Sequence, residues 1–291
     1  MDLDAALGKF TLQLQANGRS PHTVRQYRRH VAALGRWLAA RGRPRELSAI
    51  THETLAEFLV APEARCRPDG RPKREIAVNA LRTSIRCFFG YLAAAGWIPV
   101  DPARLVRRAV CAPPPPRGMS EADQTRLLAV LDQAVTPEDR RDRVLFRLML
   151  GTGIRLGSAL ALERCDLDLE AMTIRIRHAK GGREQDVAIP EGLREVLAGY
   201  LAQGEGGGPL FPGPGGRPIC ARHAQRRLAG WLRRAGVTRR VSAHALRHSF
   251  ALRTYHEHRD LFGLQRALGH RSIVTTTVYL RDARWPSPLP A

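Results

Sequence analysis

HALRHSFALRTYHEHRDLFGLQRALGHRSIVTTTVY spans residues 244–279. His244-Ala245-Leu246-Arg247 opens a helix predicted over about 243–256, and a second helix follows over about 259–268. Leu268-Gly269-His270 comes next. Nine residues after His270 stands Tyr279, inside Thr275-Thr276-Thr277-Val278-Tyr279, where a final helix is expected to carry Thr275 to Leu280. His244 and His248 are four apart on one helical face, the spacing of a zinc-protease helix. HALRH lacks the Glu that such a helix needs as base, and no Cys or third ligand is placed nearby, so no metal site is expected. His248, beside Arg247, reads as a structural or supporting residue.

Working outward, Thr152-Gly153-Ile154-Arg155 follows a helix predicted over about 138–150. Arg155 stands out there, because a charge after an apolar helix should be exposed only at a site. Residues 171–190 switch to alternation, with Met172, Ile174 and Ile176 on one face and Val187 and Ile189 after Gly181-Gly182. That pattern is a β-hairpin or two strands of a small sheet, with Lys180 at its turn. Residues 204–218 are rich in Gly and Pro and read as a surface loop, and a helix resumes over about 219–235. Ser120 caps a helix, with Asp123 in the capping-box region. Before it, Cys111 to Gly118 contains four consecutive prolines, which end a helix and favour an extended spacer. The first 110 residues read as helices over about 2–17, 51–60 and 74–95, plus one opened by Ser20-Pro21 with Val24, Tyr27, Val31, Leu34 and Leu38 on one face. The domains expected are therefore 1–110, a linker at 111–119, and 120–291. Trp97 and Trp231 are expected in the core.

The 291 residues are 44% hydrophobic and 25% charged, which excludes a mainly disordered chain, a fibrous repeat and a membrane bundle. Gly and Pro interrupt even the longest uncharged apolar run, Cys87 to Val100, whereas a spanning helix needs about 20 apolar residues. MDLDAALGKF begins acidic, and no signal peptide is expected. Five dispersed cysteines without a CxxC indicate neither a disulfide framework nor a zinc ribbon, and a reducing cytoplasm is the simplest home. The net charge of +20 divides evenly. Residues 1–110 carry 19 basic and 9 acidic side chains, and residues 111–291 carry 28 and 18. Both halves are thus equally basic, as in a protein that grips a long polyanion from two sides, with nucleic acid the first candidate. Of the 47 basic residues only Lys9, Lys73 and Lys180 are lysine. A retained lysine is a candidate for what arginine cannot do, such as giving up a proton.

Arg155 in TGIR, Lys180 at the hairpin turn, His244-x-x-Arg247, Leu268-Gly269-His270 and Tyr279 closely resemble, in order and spacing, the tyrosine recombinase (phage integrase) family in its Xer-type and short integrase members. Arg19-Ser20-Pro21-His22-Thr23-Val24 and Tyr27 are similar to that family's helical core-binding domain. The resemblance implies a mainly α fold with a small β-sheet or hairpin: a helical core-binding domain followed by an α+β catalytic domain. It implies a site-specific recombinase or integrase that cleaves and rejoins double-stranded DNA through a 3′-phosphotyrosine. It also implies four protomers on two DNA sites, as a homotetramer or with a related recombinase, and no cofactor, metal or ATP.

The residue chemistry suits that reaction. Transesterification of a phosphodiester needs a nucleophile, donors around pentavalent phosphorus, and a proton for the leaving 5′-oxygen. The planar forks of Arg155 and Arg247 can bind non-bridging oxygens. The Tyr279 phenol can attack and stay ester-linked. By the resemblance, Lys180 protonates the leaving oxygen, His244 manages the tyrosine proton and His270 donates to the phosphate. Tyr255 is the next candidate nucleophile. Two departures stand out. Relatives carry Glu where this chain has Ser158, and the segment after Tyr279 is twelve residues with Pro286, Pro288 and Pro290, shorter than the tail many relatives pack into a neighbouring protomer. A type IB topoisomerase and a non-enzymatic DNA-binding relative are the rival readings.

Overall fold

The computed structural model describes residues 1–111, 118–177, 184–203 and 207–281. The chain divides into two compact units, Met1–Ala112 and Pro113–Ala291. The four prolines, the hairpin turn with Lys180 and the segment after residue 281 lie outside the described residues.

The first unit is helical: α1 (Leu3–Ala16), α2 (Pro21–Ala40), α3 (His52–Val60), α4 (Pro62–Arg65) and α5 (Glu75–Ala94), with a 3-10 turn at Leu47–Ala49. Asp2, Ser20 and Thr51 each accept a free N–H of the first turn, and Pro21 and Pro62 fill first helical positions. α2 turns Val24, Val31, Leu34, Trp37 and Leu38 inward to a core shared with Leu81, Ile85, Phe88, Phe89 and Leu92 of α5. Phe10 of α1 meets Phe88 edge-on at 5.4 Å. Burying that face leaves Arg25, Arg28, Arg29 and Arg36 of α2 and Arg86 of α5 exposed. Trp97 is only partly buried, packed against this core.

The second unit opens with α6 (Glu121–Leu131) and α7 (Pro137–Thr152), started by Ser120 and Thr136, whose hydroxyls accept the amides of Asp123 and Asp139. A short α8 (Leu156–Leu160) follows. Then come three antiparallel strands, β1 (Leu167–Asp168), β2 (Thr173–Ile176) and β3 (Gln185–Ala188), in the order β1-β2-β3, with Ile174 opposite Val187. The chain closes with α9 (Glu191–Leu201), α10 (Ala221–Arg234), α11 (Ala243–His258) and α12 (Leu261–Leu268). α7 is the axis of this unit, with Val144, Leu145, Phe146, Leu148, Met149 and Leu150 all buried. Asp142, fully buried on α7, ties α10 to it. It accepts from Trp231 Nε1 at 3.0 Å and from the guanidiniums of Arg141 and Arg227. Trp231 lies in the core. A second, smaller core joins α11, α12 and the last turns through Ala251, Tyr255, Leu264, Leu268 and Tyr279.

Two local expectations change, and one helix appears where none was expected. The segment around Tyr279 is two 3-10 turns, Ile273–Thr275 and Thr277–Arg281, not an α-helix. The Thr275 and Thr277 hydroxyls take up backbone carbonyls there: Thr275 Oγ1 donates to Ser272 O at 2.7 Å and Thr277 Oγ1 to Val274 O at 3.0 Å. Met172 precedes β2 in a left-handed conformation, φ 53°, so it stands outside the alternation of Ile174 and Ile176. Residues 191–201 form a helix that the alternation into Ile189 obscures. No helix among the described residues is long and apolar enough to cross a membrane.

Candidate active site

Arg247 projects from α11 into the place where two other helices end. α7 ends at Gly153, φ +65°, and α12 ends at Gly269, φ +59°. Both turns leave carbonyls facing Arg247: Nη1 donates to Gly153 O at 2.5 Å and Nη2 to Leu268 O at 2.6 Å. Helix C-termini carry partial negative charge, so the pair holds a cation that is 3% exposed. Neither turn has room for a side chain. A Cβ at Gly153 would lie 2.3 Å from Phe250 Cδ1, and one at Gly269 would lie 2.1 Å from Gln185 Oε1. Gln185 of β3 in turn donates to Arg266 O at 3.1 Å, which fixes the sheet to the end of α12.

Arg155 is half-buried at the start of α8, one residue past a turn shaped by Thr152, whose Oγ1 donates to Leu148 O and accepts from Ile154 N. Burial lowers the affinity of both guanidiniums for their protons. Arg247 is pushed down to about 10, with Arg155 adding repulsion, while Arg155 is lowered by burial and partly restored by Tyr279. Among the described residues, no carboxylate is among the charges acting on either one. Ser158, on α8, supplies none. Among the described residues the two arginines therefore form a positive centre with no carboxylate partner, a placement that favours an anion between them.

His270 lies against Arg247. Arginine has no lone pair to offer, so Arg247 Nη2 donates to His270 Nε2 at 3.1 Å. The ring proton is then on Nδ1, which donates to the buried Thr276 Oγ1 at 2.9 Å. Burial, with Arg247 and Arg155, holds this histidine down to about 4 and hence neutral. Tyr279 is 2% exposed, and its hydroxyl is 3.0 Å from His248 Nδ1. Burial raises the phenol's pKa, and Arg247 and Arg155 oppose the rise. Sequence reasoning gave this proton to His244. The ring at the hydroxyl is instead His248, with His244 packed edge-on against it at 4.5 Å. His244 itself is exposed, and partial desolvation, then Arg247 and Arg155, lower its pKa.

Five of the six predicted residues, Arg155, His244, Arg247, His270 and Tyr279, thus meet at the ends of α7, α11 and α12. Lys180 lies outside the described residues. Tyr255 packs in the small core beside α12. Among the described residues no three His, Cys, Asp or Glu side chains group as metal ligands. Thr276 and Gln185 border the site without having been singled out in the sequence, and His248, read there as a structural or supporting residue, lies at the Tyr279 hydroxyl. For His248 the signal was present: it follows Arg247 and sits one helical turn from His244.

Comparison with known proteins agrees with this geometry. Residues 118–284 match the Phage integrase family, and residues 7–96 match the phage integrase N-terminal SAM-like domain. A protein named tyrosine recombinase XerC from Rhodospirillum centenum is 34% identical over 275 residues, covering 90% of this chain and 78% of that one. A protein of the same name from Xanthomonas campestris pv. campestris is 31% identical over 280 residues, covering 94% and 83%. Among solved structures, the fold is similar to the XerH site-specific recombinase in its post-cleavage complex with difH (TM-score 0.75, 21% identity, 94% and 82% covered). It is also similar to a lambda integrase tetramer bound to a Holliday junction (TM-score 0.73, 18% identity, 99% and 80% covered).

Proposed function

The chain belongs to the phage integrase family, and on that premise we propose that it is a Xer-type site-specific recombinase that cuts and rejoins double-stranded DNA through a phosphotyrosine. The observation that carries the reading is the pair of guanidiniums, Arg155 and Arg247, brought together within reach of a buried phenol and, among the described residues, without a carboxylate. A phosphodiester supplies the missing anion, and the charge that develops on its non-bridging oxygens at the phosphorane meets preformed donors. Arg247 is preorganised by two carbonyls, so little reordering is left for the moment of reaction.

Tyr279 Oη attacks phosphorus, the bond to the 5′-oxygen breaks, and the strand stays ester-linked to the protein. Rejoining reverses the same step, so the bond energy is retained and neither ATP nor a metal enters. Lys180 donates the proton to the leaving 5′-oxygen. His270 approaches the phosphate through Arg247, and His244, at the exposed rim, faces the incoming backbone. The helical unit with its exposed α2 arginines is the core-binding domain. It grips the duplex with the C-terminal unit, and the proline stretch joins the two. The lambda integrase structure is a tetramer on a Holliday junction. Four protomers on two sites, alike or paired with a related recombinase, are the assembly we assign here, in the cytoplasm.

The test is a nicked suicide substrate whose cleaved end diffuses away, run beside two-site recombination and plasmid relaxation. A covalent protein–DNA adduct with recombination supports the reading. Relaxation without recombination supports a topoisomerase instead, and binding without an adduct marks a silent relative.

A further inference from the structure

We propose that His248 is a catalytic residue that seats the Tyr279 hydroxyl and accepts its proton at Nδ1 as the oxygen attacks phosphorus. The inference rests on the recombinase reading above and deepens it. The contact is direct: Nδ1 stands 3.0 Å from Oη, and the rings lie edge-to-face with centroids 5.5 Å apart. Few other positions are available to the ring. His248 lies on α11 between the buried Arg247 and Ser249, half-buried itself, with His244 packed against it one turn earlier. Tyr279 is held from its own side by the small core of Tyr255, Leu264 and Leu268. Two side chains on separate elements thus converge with little freedom, and in the tautomer that carries its proton on Nε2, His248 accepts the phenol O–H at Nδ1.

Electrostatics makes this acceptor conditional on DNA. In the free protein, burial together with His244 and Arg247 holds the His248 imidazolium down to about 4, so the proton stays on the phenol. A phosphodiester between Arg155 and Arg247 brings one negative charge, and the phosphorane brings a second. Both oppose the arginine field that disfavours a charged His248. The base therefore gains strength only as the bond forms, which protects a buried nucleophile from ionising without substrate. The balance is complete. The Oη–P bond forms, the P–O5′ bond breaks, the phenol proton moves to Nδ1, and a second proton from Lys180 reaches the 5′-oxygen. On rejoining, His248 returns its proton to Tyr279.

The experiment measures single-turnover adduct formation on the suicide substrate by the full chain, with DNA affinity and melting temperature measured in parallel. His248→Ala should slow adduct formation by roughly 10²–10⁴, the usual worth of general acid–base catalysis, with affinity kept within about twofold. His248→Asn places an amide oxygen near Nδ1 and can hold the hydroxyl but cannot take the proton, so it should also stay at least about 10-fold slow. Should His248→Ala fail to fold, the Asn variant carries the test. Replacing the bridging 5′-oxygen by sulfur should rescue neither variant, because the defect is at the nucleophile. Parental rates in either variant, or rescue of either by sulfur, overturn the proposal. Absence of an adduct in the parent chain overturns the recombinase reading instead, which keeps the two failures distinct.

Discussion

Gly153→Ala should unseat Arg247 without touching it. At φ +65° an alanine meets the left-handed penalty of about 1–2 kcal/mol. Its Cβ would also stand 2.3 Å from Phe250 Cδ1, where carbon atoms need about 3.5 Å, so the ring or the turn must move by more than an ångström. Overpacking of that kind costs about 1–3 kcal/mol. Together these give about 2–5 kcal/mol, or a fall of about 5–15 °C in melting temperature for a unit of this size. The same displacement carries Gly153 O away from Arg247 Nη1. Since losing one preorganised donor costs about 10²–10³ in rate, cleavage should fall by about 10-fold or more even where the variant is folded. Gly157→Ala is the internal control. It lies four residues later in α8 with no positive φ and open space around it, and it should stabilise by about 0.5–1 kcal/mol. The assay is thermal melting beside single-turnover cleavage. A Phe250→Ala change added to Gly153→Ala should recover the steric part, about 1 kcal/mol or more, as a favourable coupling. The reasoning fails if Gly153→Ala melts within about 2 °C of the parent and cleaves at the parental rate.

Tyr279→Phe keeps the ring in its core and removes the oxygen, so suicide substrates should trap no adduct while gel-shift affinity stays within about twofold; an adduct would shift suspicion to Tyr255. Lys180→Arg should bind normally and cleave roughly 10²–10⁴ more slowly, and a bridging 5′-sulfur should restore this variant but not Arg155→Ala, because a thiolate leaves without a proton. DNA affinity should fall linearly on a log–log salt plot, with a steeper slope for the full chain than for residues 119–291; equal slopes and affinities would remove the two-sided grip. His248 and His270 are held down to about 4, whereas unfolded histidine titrates near ~6.5. The unfolded chain therefore binds more protons between those values, so their contribution is complete above pH ~6.5 and is lost as pH falls toward 4. Melting scans between pH 6.5 and 5, above the carboxylate range, should show the transition falling with pH, and less steeply in His270→Asn.

What was legible in the sequence was whatever a local pattern specifies. Ser20 and Ser120 mark helix starts by their chemistry, and the spacing of Val24, Val31, Leu34 and Leu38 marks a buried face; all of them act as such in the structure. The arginines, the histidines and the tyrosine are picked out by their resemblance, in order and spacing, to the tyrosine recombinase family, and the structure brings Arg155, His244, Arg247, His270 and Tyr279 to one place. What stayed hidden was set by contacts distant in the chain. His244 and His248 share one helical face, and from that helix alone either could serve the tyrosine. Which ring the hydroxyl meets in this structure is decided 31 residues later, where the hydroxyls of Thr275 and Thr277 bond carbonyls within the 3-10 turns and Oη comes within 3.0 Å of His248 Nδ1. The same holds for the two glycines. In sequence, Gly153 and Gly269 are turn signals. In space they are the ends of two helices whose dipoles point at one arginine, and a larger residue at either would force Phe250 or Gln185 to move. The site is thus assembled by helix termini, which place partial negative charge on Arg247 from the backbone. Among the described residues the cation is held without a carboxylate, which under the proposed recombinase reading leaves its positive charge for a phosphate.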